Sequence, residues 1–307
     1  AITGLNLHDR LLEVFVGGTG NDSVVGSAAN TVALNLAGNG GVDTLTGGGG
    51  NDTIDGGADS DYLQGSGGND LMSGGTGTVR DTMLGGAGAD SLSGGGGSDL
   101  LTGNAGADHL SGEDGDDFLY IDQEDVTSGV VSGGAGMDVA EVSTGSVAGL
   151  NLHNASVETF RGAGGSDQVT GNNASTAALF ISGNGGGDIL TAGGGVDFIW
   201  GGAGGDVITG GSGADRLRGE ADSDTFVFGD GFGQDIVYDS GAGETLDFSG
   251  LTIGFDDLAD LLAHTTDSGS SVVIHAKLAN GSNSAVDTVT MVGVANVADL
   301  NGWVINF

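Results

Sequence analysis

An aspartate recurs every nine residues in a glycine-rich setting, and this recurrence constrains the fold more than any other feature of the chain. The stretch from 47 to 75, GGGGNDTIDGGADSDYLQGSGGNDLMSGG, places Asp52, Asp61 and Asp70 in one register. The unit reads G-G-x-G-x-D-x-U-x, where U is a large apolar residue, and a fixed period of this kind indicates a repeat architecture. Seventeen aspartates occupy the sixth place and are candidate metal ligands: Asp22, Asp43, Asp52, Asp61, Asp70, Asp81, Asp90, Asp99, Asp108, Asp117, Asp138, Asp167, Asp188, Asp197, Asp206, Asp215 and Asp224.

An apolar residue stands two places after almost every one of these aspartates. The exception is Asp138, which is followed by Ala140. The residues after each Asp predict a very short strand with one inward side chain, U, and glycine at the first, second and fourth places permits positive φ. The U residues are Val24, Leu45, Ile54, Leu63, Met72, Met83, Leu92, Leu101, Leu110, Leu119, Val169, Leu190, Ile199, Ile208, Leu217 and Phe226.

The composition shows that apolar burial alone cannot fold the chain. Of 307 residues 67 are Gly, and 42 acidic residues face 6 basic ones, giving a formal charge of −36. Such a charge with few aromatic residues is typical of disorder, yet the regular spacing of apolar residues indicates a chain that folds conditionally. A polyanion repels nucleic acid and anionic membranes, the absence of Cys excludes disulfides and thiolate metal sites, and no apolar run is long enough to span a bilayer.

The geometry of the unit predicts a bound cation. If two units make one coil of a right-handed spiral, units n and n+2 stack, and their carboxylates converge with backbone carbonyls on one site between the loops. A site made only of oxygen atoms suits a hard cation, and Ca²⁺ tolerates such flexible coordination better than Mg²⁺ does. We therefore expect several Ca²⁺ ions, each tying two loops together.

This repeat resembles that of the RTX (repeats-in-toxin) calcium-binding β-rolls, strongly over residues 17–141 and 162–228. The resemblance implies an all-β fold, a right-handed parallel β-roll (β-solenoid) in two homologous blocks, with a C-terminal β-rich cap that carries one short helix. Some positions depart from the pattern: Asp59 and Asp222 replace the fourth glycine, and Asn39, Asn104 and Glu113 replace the second. The loop 74–84 has two extra residues, which puts an ion site at Asp81 in question.

A longer duplication lies above the nonapeptide. Residues 4–26 align without gaps to 149–171, at an offset of 145, with 12 of 23 positions identical. We predict a first β-roll block at 1–145, a second at 146–228, and a cap with a type I secretion signal at 229–307. The segments 26–37 and 171–182 lack the Asp and are interpreted as longer coils of the spiral.

The tail has a different pattern. Residues 232–251 predict two strands joined by a glycine turn, and 255–265 is the only good helix, with Leu258, Leu261 and Leu262 at helical spacing and Asp256 and Asp257 at its start. SVVIHAKL, AVDTVTMVGV and GWVINF add apolar strands. A cap is also needed physically, because an open spiral end is an unpaired edge.

For several residues we compare a functional interpretation with a purely structural one. His8 and His153 occupy equivalent places in the duplicated LNLH, where a strand position is favoured over a transition-metal role. Arg216 and Arg218 are interpreted as solvated charges. Trp200 and Trp303 have the chemistry to stack on sugars, but packing in the coil or cap is favoured.

The chain carries no recognisable catalytic motif. There is no G-x-S-x-G, no H-E-x-x-H, no P-loop and no Cys nucleophile. Acidic pairs such as Asp116 and Asp117 arise by chance among 42 acids. We do not expect an enzyme.

Two functions fit these observations. The first is a bacterial protein, secreted or on the cell surface, that folds on calcium and acts as a structural, self-assembling or adhesive component of a surface layer, sheath, fibre or biofilm. Its partners are calcium, the type I secretion machinery, and further copies of itself or a cell-surface polysaccharide. The second is the C-terminal calcium module of a larger secreted enzyme (alginate epimerase, protease or lipase) or of a toxin, which the non-Met start keeps open.

Overall fold

The chain folds almost entirely into short β-strands that the contacts divide into two compact units. The computed structural model describes residues 1–7, 13–172, 174–238, 243–252, 255, 258–267, 271–277, 283–292, 294 and 303–307. The first unit is Ala1–Ser143 with Asn154–Thr159, and the second is Thr144–His153 with Phe160–Phe307. The three-part division at 145 and 228 stays a prediction.

The first unit contains fifteen strands and one short helix among its described residues. These are β1 (Leu5–Asn6), β2 (Val14–Val16), β3 (Ser23–Val25), β4 (Asn35–Gly40), β5 (Thr44–Gly48), β6 (Thr53–Ala58), β7 (Tyr62–Gly67), β8 (Leu71–Gly75), β9 (Thr82–Ala87), β10 (Ser91–Gly96), β11 (Leu100–Ala105), β12 (His109–Asp114), β13 (Phe118–Ile121), α1 (Gln123–Thr127), β14 (Val130–Ala135) and β15 (Val139–Val142).

Successive strands of this unit alternate between two parallel sheets. The odd-numbered strands β1 to β15 form one sheet in chain order, and the even-numbered strands β2 to β14 form the other. The register joins equivalent places of units n and n+2, so that Leu45 pairs with Leu63 and Leu63 with Met83. The predicted coil of two nonapeptides is therefore confirmed, and the fold is a parallel β-roll.

The second unit repeats this arrangement and continues it into the tail. Its elements are β16 (Ala148–Asn151), β17 (Thr159–Arg161), β18 (Gln168–Thr170), β19 (Phe180–Gly185), β20 (Ile189–Gly195), β21 (Phe198–Ala203), β22 (Val207–Gly213), β23 (Arg216–Ala221), β24 (Thr225–Gly229), β25 (Gln234–Val237), β26 (Thr245–Gly250), α2 (Leu258–Ala263), β27 (Thr265–Asp267), β28 (Ser271–Lys277), β29 (Asn283–Val292) and β30 (Val304–Asn306).

The tail extends both sheets of the second unit. β25 and β26 do not pair with each other as a hairpin: β25 lies parallel to β23, and β26 lies parallel to β24. β29 follows β25 in parallel and then turns the sheet antiparallel through β28 and β27, while β30 pairs in parallel with β26. The three predicted apolar strands are thus present as β28, β29 and β30.

The core of each coil is one apolar side chain wide. Every U residue is buried, and so is Ala140 at the place where the pattern weakens. In the tail this single file widens into an aromatic cluster, in which Phe228 contacts both Phe232 and Phe248, and Trp303 packs 6.3 Å from Phe226 between ring centroids. The core therefore becomes aromatic where the second β-roll block meets the predicted cap.

The cap carries the predicted short helix as α2, Leu258–Ala263. A further short helix, α1, lies in the first unit, where Asp122 and Asp125 form a capping box. Two expectations about local structure need correction. His153 lies in an exposed turn and not in a strand, whereas His8, Asp256 and Asp257 lie outside the described residues. Trp200 is 44% exposed on the outer face of β21 instead of packing inside the coil.

Non-glycine residues hold the glycine conformation at the positions that depart from the repeat. Asp59, Asp222, Asn39, Asn104 and Glu113 all have φ between 71° and 79°. Asn and Asp tolerate this region better than most residues do. The departures therefore leave the turn geometry of the roll intact.

Over the described residues, no helix is long and apolar enough to cross a membrane.

Candidate calcium site

The seventeen predicted aspartates form ladders that run from coil to coil. In the first unit one row contains Asp22, Asp43, Asp61, Asp81, Asp99, Asp117 and Asp138, and the other contains Asp52, Asp70, Asp90 and Asp108. In the second unit the rows contain Asp167, Asp188, Asp206 and Asp224, and Asp197 and Asp215. The structure brings each aspartate beside its neighbours two units away; its coordination of an ion stays a prediction.

One carboxylate oxygen of each ladder aspartate binds the backbone of the preceding coil. Asp70 Oδ1 accepts the backbone N–H of Asp52 at 2.7 Å, and the N–H of Asp70 donates to Asp90 Oδ1 at 2.7 Å. This bond recurs along the rows because the parallel register repeats. The same residue therefore links two coils even before an ion is considered.

The other carboxylate oxygen is buried and lacks a donor. Oδ2 has no hydrogen-bond partner at most ladder positions of the described chain: Asp43, Asp52, Asp61, Asp70, Asp90, Asp99, Asp108, Asp117, Asp138, Asp167, Asp188, Asp197, Asp206 and Asp215. A buried charged oxygen without a partner is strongly unfavourable. So many in register indicate that something outside the polypeptide satisfies them.

A backbone carbonyl lies close to most of these oxygens. A methyl group placed on Gly65 would overlap Asp70 Oδ2 and lie 2.6 Å from the carbonyl oxygen of Gly85 on the next coil. Glycine at the first place leaves this space to two acceptors in most units, although Ala192 occupies that place before Asp197. Two acceptor oxygens facing one space attract a cation.

The donor set fits calcium. Carboxylate and carbonyl oxygens are the ligands that Ca²⁺ takes, with six to eight of them in flexible geometry. Among the described residues, no group of three or more acidic, His or Cys side chains surrounds one point. Any ion between these coils would thus depend on one or two carboxylates and on backbone carbonyls, as the sequence predicts.

Comparison with known proteins identifies the repeat. The family model described as the RTX calcium-binding nonapeptide repeat matches residues 13–30, 37–72, 49–80, 75–108, 93–122, 180–215 and 200–235, which together cover just over half of the chain. The chain belongs to the RTX calcium-binding repeat family. Calcium binding by these repeats follows from membership.

More distant comparisons add little. No curated protein sequence matches the chain. Among solved structures, the extracellular lipase LipA from Serratia marcescens aligns with 80% of this chain at 19% identity and a TM-score of 0.29. The chain spans 40% of that lipase.

Burial raises the pKa of the aspartates in the RTX ladder. Desolvation is the largest cause, and it raises the pKa of Asp61 and of Asp70 to about 7. Asp22, at the start of its row, differs: hydrogen bonds from the backbone N–H groups of Ile2 and Gly18 lower its pKa. The free-energy cost of burying ionised carboxylates is therefore concentrated in the interior of the ladder.

Acid should replace calcium in part. An acid whose pKa is raised by folding stabilises the folded state fully below the unfolded pKa of 3.8, and that contribution is lost as the pH rises through the folded values of about 6 to 7. In excess chelator we therefore expect more β-structure at pH 5 than at pH 8, measured by far-ultraviolet circular dichroism. Precipitation would interfere at the isoelectric point of 4.1, and a pH of 5 stays above it. Identical spectra at both values would contradict this.

Two glycines of strand β7 provide a matched test of the space beside the carboxylate. Gly65→Ala places a methyl against Asp70 Oδ2, whereas Gly67→Ala meets nothing closer than 3.9 Å. We expect Gly65→Ala to destabilise the calcium-folded form by about 3 kcal/mol, and Gly67→Ala to change it by less than about 1 kcal/mol. Thermal unfolding in millimolar calcium checks both. Equal effects would show that the first glycine is not there to leave room.

The ladder also contains acids that the repeat pattern did not identify. The N–H of Asp215 donates to Asp235 Oδ1 at 3.0 Å, and the N–H of Asp224 donates to Glu244 Oε2 at 2.6 Å. A signal for Asp235 was present: GFGQDIV (231–237) keeps the second and fourth glycines and has Val237 at U. The RTX ladder therefore reaches into the predicted cap.

Two further acids end the rows of the first unit. The N–H of Asp108 donates to Asp125 Oδ1 at 2.9 Å, and the N–H of Asp138 donates to Glu158 Oε2 at 3.0 Å. Asp125 lies on α1 and Glu158 outside any nonapeptide, so no spacing signal exists for either.

Asp81 keeps both ladder bonds at 2.7 Å despite the two extra residues before it, because the loop absorbs them.

Proposed function

We propose that this chain is a secreted protein that folds on calcium outside the cell and acts as a structural, self-assembling or adhesive component of a surface layer, sheath, fibre or biofilm matrix. The observation that supports calcium-driven folding is the row of buried carboxylate oxygens without donors in both units. RTX repeat proteins are typically secreted, which supports the location.

Calcium levels supply the switch in this proposal. Extracellular calcium modules bind with dissociation constants of about 10⁻⁴ to 10⁻³ M, so the chain stays unfolded in the cytosol and passes extended through the type I secretion machinery. Outside, the binding free energy of the ions becomes folding free energy. The negative charge keeps the unfolded chain soluble and then binds the ions.

Exposed side chains on a terminal strand support self-assembly. Among the described residues, β2 is the terminal strand of the even-numbered sheet of the first unit, and its side chains Val14 and Val16 are 56% and 65% exposed. An edge strand with exposed β-branched residues is a template for pairing with another chain. Within this proposal the protein acts through assembly and not through catalysis.

The test uses the protein expressed from its natural gene and secreted into medium with calcium. We expect calcium-dependent assemblies by light scattering and electron microscopy, and fewer of them for Val14→Lys/Val16→Lys. Leu71→Lys, an exposed position on the interior strand β8, is the matched control. A secreted protein that stays monomeric and carries an upstream hydrolytic domain would instead support the alternative, a C-terminal calcium module of an enzyme.

A further inference from the structure

One outer face of the second unit carries a concentration of rings and guanidinium groups. Phe198 stacks on Phe180 with centroids 5.0 Å apart and planes 7° from parallel, and Arg216 lies 5.0 Å above the Phe198 ring. In the neighbouring column Trp200 pairs in register with Arg218 on the next strand, and Tyr238 follows at 43% exposure. We call this set the outer platform: Phe180, Phe198, Trp200, Arg216, Arg218 and Tyr238.

The internal duplication shows that the fold does not require these residues. At the offset of 145, the counterparts of Phe180, Phe198, Trp200, Arg216 and Arg218 are, in order, Asn35, Thr53, Asp55, Leu71 and Ser73. The counterparts lie on β4, β6 and β8, which pair in the same parallel register. Strands without aromatic rings or guanidinium groups at these places thus keep the same register, and the rings and arginines of the platform need another explanation.

The charge of this region also differs from that of the whole chain. Residues 160–238 contain three of the six basic residues, Arg161, Arg216 and Arg218, all exposed on strands of the platform sheet. Of the ten acids in the same stretch seven are buried in the ladder, which calcium neutralises, and three are exposed: Glu220, Asp222 and Asp230. Arg218 Nε lies 3.5 Å from Glu220. With calcium bound, the three exposed acids balance the three arginines, so this region is close to neutral on a strongly anionic protein.

We propose that the outer platform binds a linear acidic polysaccharide that contains uronate residues. Its two columns follow the stacking direction of strands about 4.8 Å apart, which presents a track to a linear polymer. The exposed rings of Trp200 and Tyr238 can pack against the apolar faces of sugars, and guanidinium groups form bidentate hydrogen bonds with carboxylates. The two guanidiniums of the platform are too few for a polynucleotide, whose binding depends on neutralising many phosphates.

This proposal needs the calcium-folded second unit but not the structural role proposed above. Calorimetry in millimolar calcium would measure binding of hyaluronan oligosaccharides and of short oligogalacturonates, with dextran as the neutral control. The test variant takes the residues of the first block, Trp200→Asp/Arg216→Leu/Arg218→Ser. The matched control, Thr53→Ala/Ser73→Ala, changes the equivalent face of the first unit.

We expect the parent to bind at least one uronate polymer and not dextran. The test variant should bind at least about tenfold more weakly, because exposed Trp and Arg anchors dominate such surfaces, and the control variant should bind like the parent. A calcium titration followed by dichroism verifies folding in each sample, and Trp200→Asp alone is measured if the triple variant does not fold.

Four outcomes would overturn the proposal. These are no binding to either uronate polymer, equal binding to dextran, tighter binding of single-stranded DNA than of either polymer, and equal binding by parent and folded variant. A parent that self-associates without glycan, and a variant that does not, would assign the face to a second copy of the chain. Normal calcium folding in these samples would leave the folding mechanism standing.

Discussion

Removal of calcium is expected to leave the chain mostly disordered, and millimolar calcium to restore its β-structure, whereas magnesium at the same concentration is not. Each coil buries only about two large apolar side chains, and glycine pays the largest backbone entropy cost on ordering. The ladder adds buried carboxylates without donors. The calcium-free fold therefore lacks the free energy to persist at neutral pH. Magnesium fails because it demands octahedral geometry and keeps its waters.

The measurement is a far-ultraviolet dichroism titration with each ion after treatment with chelator. Added salt at matched ionic strength is the control, because screening of the −36 charge alone would compact the chain to some degree. A spectrum that is the same with and without chelator would show that the polypeptide folds unaided. An equal response to magnesium would show a non-specific counterion effect.

Substitution of an interior aspartate should be far more damaging than substitution of the first. Asp70→Ala removes the acceptor of the buried N–H of Asp52, and an unsatisfied buried donor costs about 1 to 3 kcal/mol. It also removes a carboxylate from the two predicted calcium sites on either side. Asp22→Ala frees the N–H groups of Ile2 and Gly18, which are exposed, so water replaces the lost bonds. We expect Asp70→Ala to raise the calcium midpoint about tenfold and Asp22→Ala to raise it much less.

Asp70→Asn separates the two roles of the side chain. The amide keeps an oxygen for the N–H of Asp52 and presents an NH₂ group toward the carbonyl of Gly85. We therefore expect this variant to be at least as stable as the parent in chelator, but to need more calcium to fold fully. Parallel calcium titrations of the three variants check this. If Asp22→Ala proves as harmful as Asp70→Ala, coil-to-coil linkage does not decide the effect.

The repeat made most of the fold and of the ladder predictable. The spacing of Asp and U residues predicted the coil, the strands and the buried column, because each position has the same neighbours in every coil. It did not predict that Oδ1 would accept a hydrogen bond from a backbone N–H, which leaves Oδ2 and a glycine carbonyl to face the predicted ion site. That division depends on the exact register between coils, which residue types do not specify.

The parts that escaped prediction are those where a local signal competes with the repeat or is absent. Asp235 is preceded by the second and fourth glycines of the nonapeptide, but the apolar strands that follow it favoured a cap interpretation. Glu244 accepts the equivalent backbone hydrogen bond with a longer side chain, so a pattern restricted to Asp does not include it. Asp125 reaches the ladder from a helix, and its position depends on the capping box with Asp122. Whether the seventeen aspartates coordinate calcium stays a prediction.

Because successive strands alternate between two sheets, the chain can gain or lose residues without disrupting the fold only in certain lengths. Removing one nonapeptide would exchange the two sheets for every later strand, so each ladder aspartate would face the wrong row. Removing eighteen residues deletes a whole coil and rejoins rungs that already match, as the 18-residue separation of Asp52 from Asp70 shows. The chain also tolerates rungs 20 or 21 residues apart, where the surplus stays in a loop. Insertions and deletions that encode a full coil are thus the changes in length that preserve this fold.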